Sequence, residues 1–517
     1  MTHVVILGAG IAGVSAAYAL KAKLGARAEV TVASDKLYFH FVPSNPWIAM
    51  GWRDRSDIAF PIGPYLDARG IKFIHSGVRD IRPEANQVDL DNGDTLSYDV
   101  LLIATGSCAL QGMSGDIPGL AEHTHSFIHI NQAEQALAAY REFVQHPGPI
   151  VIGAAPGASV LGPIYEYAFL VDADLRQRNI REQAPITLVT PEPWPGHLGL
   201  GGEGASRSAV TAALLDTHIK IICNAHTMRI DSNTIQVIEL DDAGNEKQNH
   251  ILNYAYSVYW PAFGGVPAMR KASSLVNDRG LVVVDEYLRS PDYPNVFALG
   301  ACLAQAVVQN TPVPVGPPDS VYSISKAGEI VVKNILAQLG DAPMTSCVPQ
   351  RAKWLTDMGN TGAAYLSEPQ LPLRDINWMR QGRWVHQAKV DFEKYFINKI
   401  RQQPVGQIAS VVSRVAGVMS RVLTELDGAQ TPQSTGSGEP LAIRLPHDPC
   451  LELRALAMSL GREPDVLAAE LLAAAISDAK SCLNESEIDA MAHARRELLV
   501  QALPKRQPGV AFLGGET

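Results

Sequence analysis

The chain lacks several features that mark common protein classes. Its six cysteines are scattered over 517 residues without a CxxC pair, which argues against zinc-site and disulfide-scaffold patterns and indicates a reducing compartment. No apolar run reaches the roughly 18 residues that span a bilayer, and no signal-peptide pattern is visible. Positively charged residues are outnumbered by negatively charged ones, with 43 Lys and Arg against 53 Asp and Glu. This balance argues against nucleic acid as a partner. We expect a cytoplasmic protein of about three domains.

The first twenty residues carry the most informative motif. Val4–Leu7 form a continuous apolar run, typical of a parallel strand buried on both faces. The run leads into GAGIAG at residues 8–13, and Val14–Leu20 then follow a helical pattern. GxGxxG alone is weak evidence, but a strand before it and a helix after it indicate a dinucleotide site.

The residues of this turn have separate roles. Gly8 permits the tight turn, Gly10 lets the backbone approach a pyrophosphate, and Gly13 allows the helix to pack closely on the strand. Ile11 and Ala12 begin the helix, where unpaired N–H groups can bind phosphate.

The following strand ends at the adenosine side of such a site. Dinucleotide folds commonly place an acid there to hold the ribose. The predicted strand, residues 29–33, ends at Ser34 and Asp35, and one of these two would make the contact.

Two later turns and one segment resemble those that contact FAD in two-dinucleotide flavoproteins. A buried strand from Tyr98 runs into an ATG turn, and a strand from Pro294 runs into a second turn. The segment TPVPVGPP at residues 311–318 then enters a predicted helix at 320–339, whose N-terminal dipole would stabilise an anionic reduced flavin. The residues predicted to contact FAD at these places are Ala104, Thr105, Gly106, Gly300, Ala301, Pro314 and Gly316.

A second nucleotide-type fold begins with a strand from Ile150 and continues into a predicted helix at about 159–167, but the glycine turn between them departs from the pattern. The spacing Gly153-x-x-x-Gly157-x-x-x-x-Gly162 leaves bulkier residues where the backbone must approach a pyrophosphate. Thr190, and no acid, follows the next strand. We expect this domain to keep the fold without binding NAD tightly.

Many short motifs occur in one order along residues 1–425: FVPSNPW, DIAFPI, ATG, PIVIG with GAS and PIYEYA, EP with GHLG, PAF with GVPA, TPVP, DMG, RWVH and FEKYF. In this the chain resembles the sulfide:quinone oxidoreductases of the FAD-dependent pyridine nucleotide-disulfide oxidoreductase superfamily. The resemblance implies an α/β fold with two Rossmann-like domains, bound FAD, and a C-terminal region that makes a quinone site on the membrane surface. The implied location is peripheral, on the inner face of the cytoplasmic membrane.

The domains expected from the resemblance and from composition are the following: a FAD-binding domain from residues 1–108 and 275–340, a second Rossmann-like domain at 109–274, a quinone and membrane-interface region at 341–426, a linker at 427–440 and an added helical module at 441–517.

The chain departs from the resemblance at its redox sulfurs. Those enzymes oxidise sulfide with cysteines at the flavin, because a thiolate attacks and a persulfide stores the electrons. At the corresponding positions this chain has Val160, Trp354 and Ile128. Cysteine-dependent sulfide oxidation is therefore not expected, unless Cys302 or Cys347 supplies a relocated thiol.

Other polar residues have two interpretations each. Glu166, in PIYEYA, is either an acid or base with a pKa raised by an apolar cavity or a buried structural carboxyl. His197, in GHLG, is either a proton carrier or a core histidine. Asp319 stands where the family often has lysine, and a carboxylate there would oppose a reduced flavin anion. The aromatic segment 38–52 is either a packed loop or a lid over the flavin.

The C-terminal part contains an amphipathic pattern and an added module. Apolar residues recur at helical spacing over Gln407–Leu423, which favours a helix at the membrane interface or packed on protein. Residues 441–517 are similar to a ribbon-helix-helix unit but carry eight Lys and Arg against eleven Asp and Glu. We expect this module to mediate homo-oligomerisation or docking.

Three functions remain open from the sequence. The first is an FAD-dependent oxidoreductase that transfers electrons directly through flavin, with quinone as partner and an unknown donor. The second is a flavin-binding assembly or regulatory subunit without catalysis. The third, an NADH:quinone oxidoreductase, is disfavoured by the second glycine turn.

Overall fold

The computed structural model describes residues 1–110, 117–201, 205–340, 342–347, 352–368 and 376–401. The predicted helix at 407–423, the linker at 427–440 and the module at 441–517 lie outside this part of the chain.

The strands, numbered in chain order, are β1 Thr2–Leu7, β2 Ala28–Ser34, β3 Tyr38–His40, β4 Ala59–Pro61, β5 Lys72–His75, β6 Val78–Arg82, β7 Gln87–Leu90, β8 Thr95–Ser97, β9 Val100–Ile103, β10 Ser107–Ala109, β11 Ile150–Ala154, β12 Ile186–Val189, β13 Lys220–Ile222, β14 Ala225–Ile230, β15 Thr234–Leu240, β16 Glu246–Asn253, β17 Tyr256–Trp260, β18 Phe263–Gly265, β19 Val296–Ala298, β20 Ala352–Asp357, β21 Gly362–Glu368 and β22 Ile376–Gln381.

The α-helices are α1 Ile11–Leu24, α2 Asn45–Ala49, α3 Arg55–Ile58, α4 Gly63–Asp67, α5 Leu120–His123, α6 Ile130–Phe143, α7 Gly162–Gln177, α8 Ala205–Asp216, α9 Pro267–Lys271, α10 Val321–Leu339 and α11 Arg383–Arg401.

A parallel sheet of order β19-β9-β1-β2-β5 is built around the first strand. Val4 lies opposite Val30 on one side and Val100 on the other. Val4–Leu7 are completely buried, because helices can cover both faces of a parallel sheet only if its side chains are apolar. The last strand of this sheet comes from residues 296–298, so the chain leaves the sheet and returns to it.

A second parallel sheet, of order β13-β12-β11-β17, has the same type of architecture. These two sheets confirm the expected α/β fold with two Rossmann-like parts. The short antiparallel pair β10 and β18 joins the segments that run between them. The domain boundaries themselves stay a prediction.

The helix after the second turn begins later than the sequence predicts. The sequence indicates a helix at about 159–167, whereas α7 begins at Gly162 and continues to Gln177. Residues before it are held by neighbouring loops: the Gly157 N–H donates to the Pro314 carbonyl at 2.6 Å. Pro163 in the first turn suits a helix start, since it has no N–H to satisfy.

The C-terminal part of the described chain is an antiparallel sheet, β20-β21-β22, with α11 packed against it. Ala363–Leu366 and Val385 are buried at this contact. This layer places β20 and α11 next to the cavity described below.

Candidate functional site

The glycine turn between β1 and α1 is shaped to admit a ligand. Gly8 has φ +110°, and a Cβ there would lie 2.3 Å from the Ala104 carbonyl oxygen. A Cβ on Gly13 would lie 1.9 Å from the Gly8 oxygen, whereas a Cβ on Gly10 would meet nothing within 4 Å. The open side at Gly10 is a place where backbone can approach a phosphate, and no side chain caps α1 there.

This turn opens into a large cavity of about 930 Å³. Most residues predicted to contact the cofactor line it: Gly8, Gly10, Ile11, Ala12, Ser34, Asp35, Ala104, Thr105, Gly106, Gly300 and Ala301. The geometry therefore fits a dinucleotide with its pyrophosphate at α1 and its ribose near the end of β2.

Three predicted contact residues lie behind the cavity wall. Gly13 packs α1 against the turn, as its predicted packing role requires. The Gly316 N–H donates to the Ala158 carbonyl at 2.8 Å, and the Pro314 carbonyl accepts from Gly157. Pro314 and Gly316 thus fix the loop between β11 and α7, and Pro317 and Asp319 line the cavity from this segment.

The aromatic segment 38–52 is both packed and part of the site. Trp47 is buried in α2, whereas Tyr38, His40 and Asn45 line the cavity. The His40 Nε2 lies 2.6 Å from the Asn45 Oδ1, and the Asn45 amide donates to the carbonyls of Phe127 and Ile128. The segment therefore fixes one wall of the cavity.

The second glycine turn is filled by protein. A Cβ on Gly153 would lie 2.2 Å from the Tyr259 ring, whose hydroxyl lies 2.9 Å from the Thr227 hydroxyl. The acid nearest the end of β12 is Glu192, which sequence analysis missed. It is completely buried, and burial raises its pKa.

The Glu192 carboxylate is occupied by internal donors. It accepts from the hydroxyls of Tyr165 and Thr190, at 2.6 and 2.7 Å, and from the Leu198 N–H at 2.7 Å. A carboxylate held in this way does not face a nucleotide ribose.

The positions expected to carry redox sulfur all line the cavity: Ile128, Val160 and Trp354. Val160 has φ +56°, a left-handed conformation that is rare for a β-branched residue. The Trp354 ring lies 5.6 Å from the Tyr365 ring. This wall is apolar and aromatic where a thiol pair is expected.

Neither Cys302 nor Cys347 lines the cavity. The Cys302 thiol is buried and donates to the carbonyls of Ile103 and Leu299, and burial raises its pKa to about 11. Burial also raises the pKa of the Cys347 thiol. Both groups are poorly suited to form thiolates.

Among the described cysteines, the one that lines the cavity is Cys108, which sequence analysis missed. Its sulfur lies 3.4 Å from the Gly265 carbonyl and 3.7 Å from the Arg270 guanidinium. The signal for it was its position two residues after the ATG turn.

Glu166 lines the cavity from α7 and is ion-paired. The Lys389 ammonium on α11 donates to its Oε1, and the Asp357 N–H donates to its Oε2 at 3.4 Å. Both side chains are buried, and burial raises the pKa of Glu166 although Lys389 lowers it. The ammonium also lies 4.8 Å from the centre of the Trp47 ring.

Polar contacts continue from this pair towards the surface. The buried Asp357 carboxylate accepts from the Trp47 indole N–H at 2.8 Å and contacts the His386 Nδ1 at 2.9 Å. The His386 side chain is 35% exposed. A chain of ionisable groups thus runs from the cavity to solvent.

His197 is brought to a different place. It is buried beside Trp194, with ring centres 5.0 Å apart, and its Nδ1 accepts from the Gly199 N–H at 3.2 Å. It does not line the cavity.

Asp319 lines the cavity just before α10. Its Oδ1 accepts from the Ser320 N–H at 2.7 Å and from the Ser323 hydroxyl at 2.8 Å. Ser320 and Ser323 form a capping box that begins the helix.

Two features are absent from the described residues. No group of three His, Cys, Asp or Glu side chains is arranged to hold a metal ion there. Within the same ranges, no helix combines the length and the apolar character that crossing a membrane requires.

Comparisons with known proteins agree with this geometry. The sequence profile of the pyridine nucleotide-disulphide oxidoreductases matches residues 2–316. A sulfide-quinone reductase of Aquifex aeolicus is 33% identical over 401 residues, which cover 77% of this chain and 91% of that protein. An NADH dehydrogenase-like protein of Mycobacterium tuberculosis is 27% identical over 394 residues, or 71% of this chain and 88% of the relative.

A solved structure supports the same placement. The X-ray structure of the Aquifex aeolicus sulfide:quinone oxidoreductase matches with a TM-score of 0.75 and 30% identity. The match covers 85% of this chain and 100% of that one.

Proposed function

The chain belongs to the pyridine nucleotide-disulphide oxidoreductase family and is an FAD-dependent oxidoreductase, and we propose that it transfers electrons directly through FAD to a quinone. Bound FAD supplies two-electron redox chemistry. The protein contributes the binding, the apolar surroundings and the control of protons.

The cofactor is held by the residues of the first turn and its neighbours. The open backbone at Gly10 and the N–H groups that begin α1 bind the pyrophosphate. Ser34 or Asp35 binds the ribose at the end of β2. Because Gly300 adjoins the same turn, with its Cβ position 3.2 Å from the Ala12 Cβ, the second turn closes the site.

The observation that carries the proposal is the apolar wall made by Ile128, Val160 and Trp354. All three line the cavity, and none has a sulfur that could form a persulfide. The donor must therefore reduce the flavin without the thiol pair of sulfide-oxidising enzymes.

The Glu166–Lys389 pair is the proposed proton carrier of the site. The pair can share one proton: it lies on the Lys389 ammonium when Glu166 is a carboxylate, and it can pass to Glu166 Oε1 with little movement to leave a neutral acid and a neutral amine, because the two groups are in contact. His197 has no part in this step, since it does not line the cavity.

A quinone acceptor is supported by the similarity to a protein named sulfide-quinone reductase. The matched residues cover 91% of that relative. The apolar residues that α11 and β20 add to the cavity, including Phe392 and Leu355, suit a lipid-like ring. The proposed place is the membrane surface.

NADH is the second candidate donor, because an NADH dehydrogenase-like relative covers 71% of this chain. The Tyr259 ring at Gly153 and the inward-facing Glu192 disfavour it. The alternative of an assembly subunit without catalysis predicts that no donor reduces the flavin.

Anaerobic stopped-flow measurement with the purified FAD-loaded protein tests these alternatives. After photochemical reduction of the flavin, decylubiquinone is expected to restore the oxidised flavin band, since the proposed acceptor takes electrons from reduced FAD, whereas sulfide and NADH are expected to leave oxidised flavin unbleached within the dead time. Bleaching by NADH would support the second candidate, and reduced flavin that decylubiquinone does not reoxidise would support the subunit.

Two variants serve as controls for the measurement of flavin bleaching by sulfide. Cys108→Ala removes the thiol that lines the cavity, and fast sulfide bleaching that disappears in this variant would contradict the direct mechanism. The double variant Val160→Cys with Trp354→Cys is expected to gain sulfide-dependent bleaching, because it restores sulfur on the same wall.

A further inference from the structure

Asp319 occupies a position in the cavity that places it on the flavin side of the dinucleotide site. The ribose end is defined by Ser34 and Asp35, and the pyrophosphate by the turn at Gly10. The remaining half of a bound FAD must extend the other way. The segment before Asp319 lies against the turn that carries Val160, since the Gly316 N–H donates to the Ala158 carbonyl at 2.8 Å. Just after Asp319, the Tyr322 ring lies 5.0 Å from the ammonium of Lys353, which is the neighbour of Trp354, and Asp319, Val160 and Trp354 all line the cavity.

The first turn of α10 adjoins the pyrophosphate region directly. The Cβ position of Gly300 lies 3.2 Å from the Ala12 Cβ and 3.9 Å from the Ile324 Cγ2. A cofactor that binds at the N-terminus of α1 therefore passes the N-terminus of α10, where Asp319 precedes the helix cap.

The Asp319 carboxyl is buried and has no cationic partner among the described residues. Asp319 as a whole is only 8% exposed. Both neutral donors that bind it, the Ser320 N–H and the Ser323 hydroxyl, bind Oδ1. Within the described part of the chain no donor binds Oδ2, so one oxygen is available to carry a proton.

The ionisable groups around Asp319 come from several elements. They are Tyr322 on α10, Lys353 on β20, His197 in the loop whose Gly199 packs on residues 316–318, Cys302 after the Gly300 turn, and the Glu166–Lys389 pair that also lines the cavity. None of these forms an ion pair with Asp319. The protonation of the Asp319 carboxyl therefore depends on the cofactor and on its surroundings in the cavity.

We propose that Asp319 is a redox-linked proton acceptor, which takes up one proton from solvent when two electrons enter the bound FAD. The balance is two electrons from the donor, one proton to the flavin to give its reduced anion, and one proton to the Asp319 carboxylate. Without the second proton, a carboxylate and a reduced anion would lie in one poorly hydrated cavity and repel each other. Uptake at Asp319 removes that repulsion.

The pH range in which the Asp319 carboxyl gains its proton suits this role. Burial raises the pKa of Asp319 from 3.8 to about 6, although the hydrogen bonds from Ser323 and Ser320 lower it. A nearby negative charge raises the pKa of a carboxyl further. Between about pH 6 and that higher value, Asp319 is charged beside oxidised FAD and neutral beside reduced FAD.

The inference rests on FAD binding in the cavity and not on the proposed donor or acceptor. Spectroelectrochemical titration with dithionite as reductant therefore tests it without either substrate. The wild-type midpoint potential is expected to fall more steeply with pH above about pH 6 than that of Asp319→Asn. The extra proton changes the equilibrium constant tenfold per pH unit, which is about 30 mV for two electrons.

A matched control comes from the same helix. Glu329 is exposed on α10, so Glu329→Gln removes an equal charge and is expected to keep the wild-type pH dependence. If Asp319→Asn and the wild type show the same slope from pH 5.5 to 8.5, the inference is wrong.

A second measurement needs no variant, in case Asp319→Asn fails to fold. Infrared difference spectra of the wild-type protein, prepared with ¹³C-labelled aspartate, are expected to gain a protonated-carboxyl band on reduction at pH 7.5. The band should shift with the label. A reduced-minus-oxidised spectrum without a label-sensitive carboxyl band would overturn the inference, whatever the stopped-flow experiment shows about donors.

Discussion

Lys389 on α11 and Glu166 on α7 form a buried ion pair although 223 residues separate them in the sequence. The contact joins the C-terminal layer to the second Rossmann-like part at the wall of the cavity. Its two charges are removed from water, so each depends on the other for compensation.

Replacing Lys389 by methionine is expected to destabilise the protein by about 3–5 kcal/mol, because it leaves a buried carboxyl without its cation. The urea midpoint, followed by tryptophan fluorescence, measures the change. The double variant Lys389→Met with Glu166→Gln should recover most of it, since no uncompensated charge remains.

Lys394 provides the matched control, because it lies exposed on the same helix. Lys394→Met is expected to change stability by less than about 0.5 kcal/mol. Equal losses of stability in the two methionine variants would show that the lysine of the buried pair contributes no more to folding than an exposed lysine does.

Val160 is expected to be under backbone strain. A non-glycine residue in the left-handed conformation costs roughly 1–2 kcal/mol. Three hydrogen bonds hold its loop in place: Gly157 N–H to Pro314, Gly316 N–H to Ala158, and the Trp260 indole N–H to Ser159. These contacts hold the turn in its conformation even though that conformation is unfavourable for a valine at position 160.

Val160→Gly should therefore leave the stability of the protein nearly unchanged, because relief of about 1–2 kcal/mol of strain offsets the lost apolar contact and the roughly 0.5–1 kcal/mol that glycine costs in chain entropy. Differential scanning calorimetry provides the measurement. Val283→Gly is the control, because Val283 is exposed without a left-handed backbone, and it is expected to lower stability slightly. A loss at position 160 as large as that at 283 would rule out strain.

Local patterns predicted the first Rossmann-like part well. The apolar run at 4–7, the glycines that follow it and the helix at 321–339 are set by neighbouring residues, so the sequence alone identifies them. The residues that line the cavity near Gly8 follow from the same turn.

Contacts between distant segments could not be predicted in this way. Glu192 is turned inward by hydroxyls from Tyr165 and Thr190, and Pro314 faces the Gly157 turn because two loops meet there. Cys108 was missed because no spacing links it to Arg270, which lies 162 residues away. Each depends on how separate loops pack together.

His40 is expected to make the stability of the protein depend on pH. Burial lowers the pKa of His40 to about 4, although its contact with Asn45 favours the charged form. The folded-state pKa then lies below the unfolded value of about 6.5. As pH falls from about 6.5 to 4, the unfolded chain binds a proton at this position before the folded protein does, so the free energy of unfolding decreases.

The expected loss is at most about 3 kcal/mol over that range, from about 1.4 kcal/mol per pH unit. His40→Asn should reduce the proton uptake on unfolding by nearly one, as measured by urea midpoints between pH 4.5 and 7.5. Burial also lowers the pKa of His125 and His129, so some pH dependence should persist in the variant. His146→Asn, at an exposed position, should keep the full wild-type dependence. If His40→Asn keeps it as well, the neutral imidazole at Asn45 is not the group that titrates, because a buried histidine that resists protonation must change the slope when it is removed.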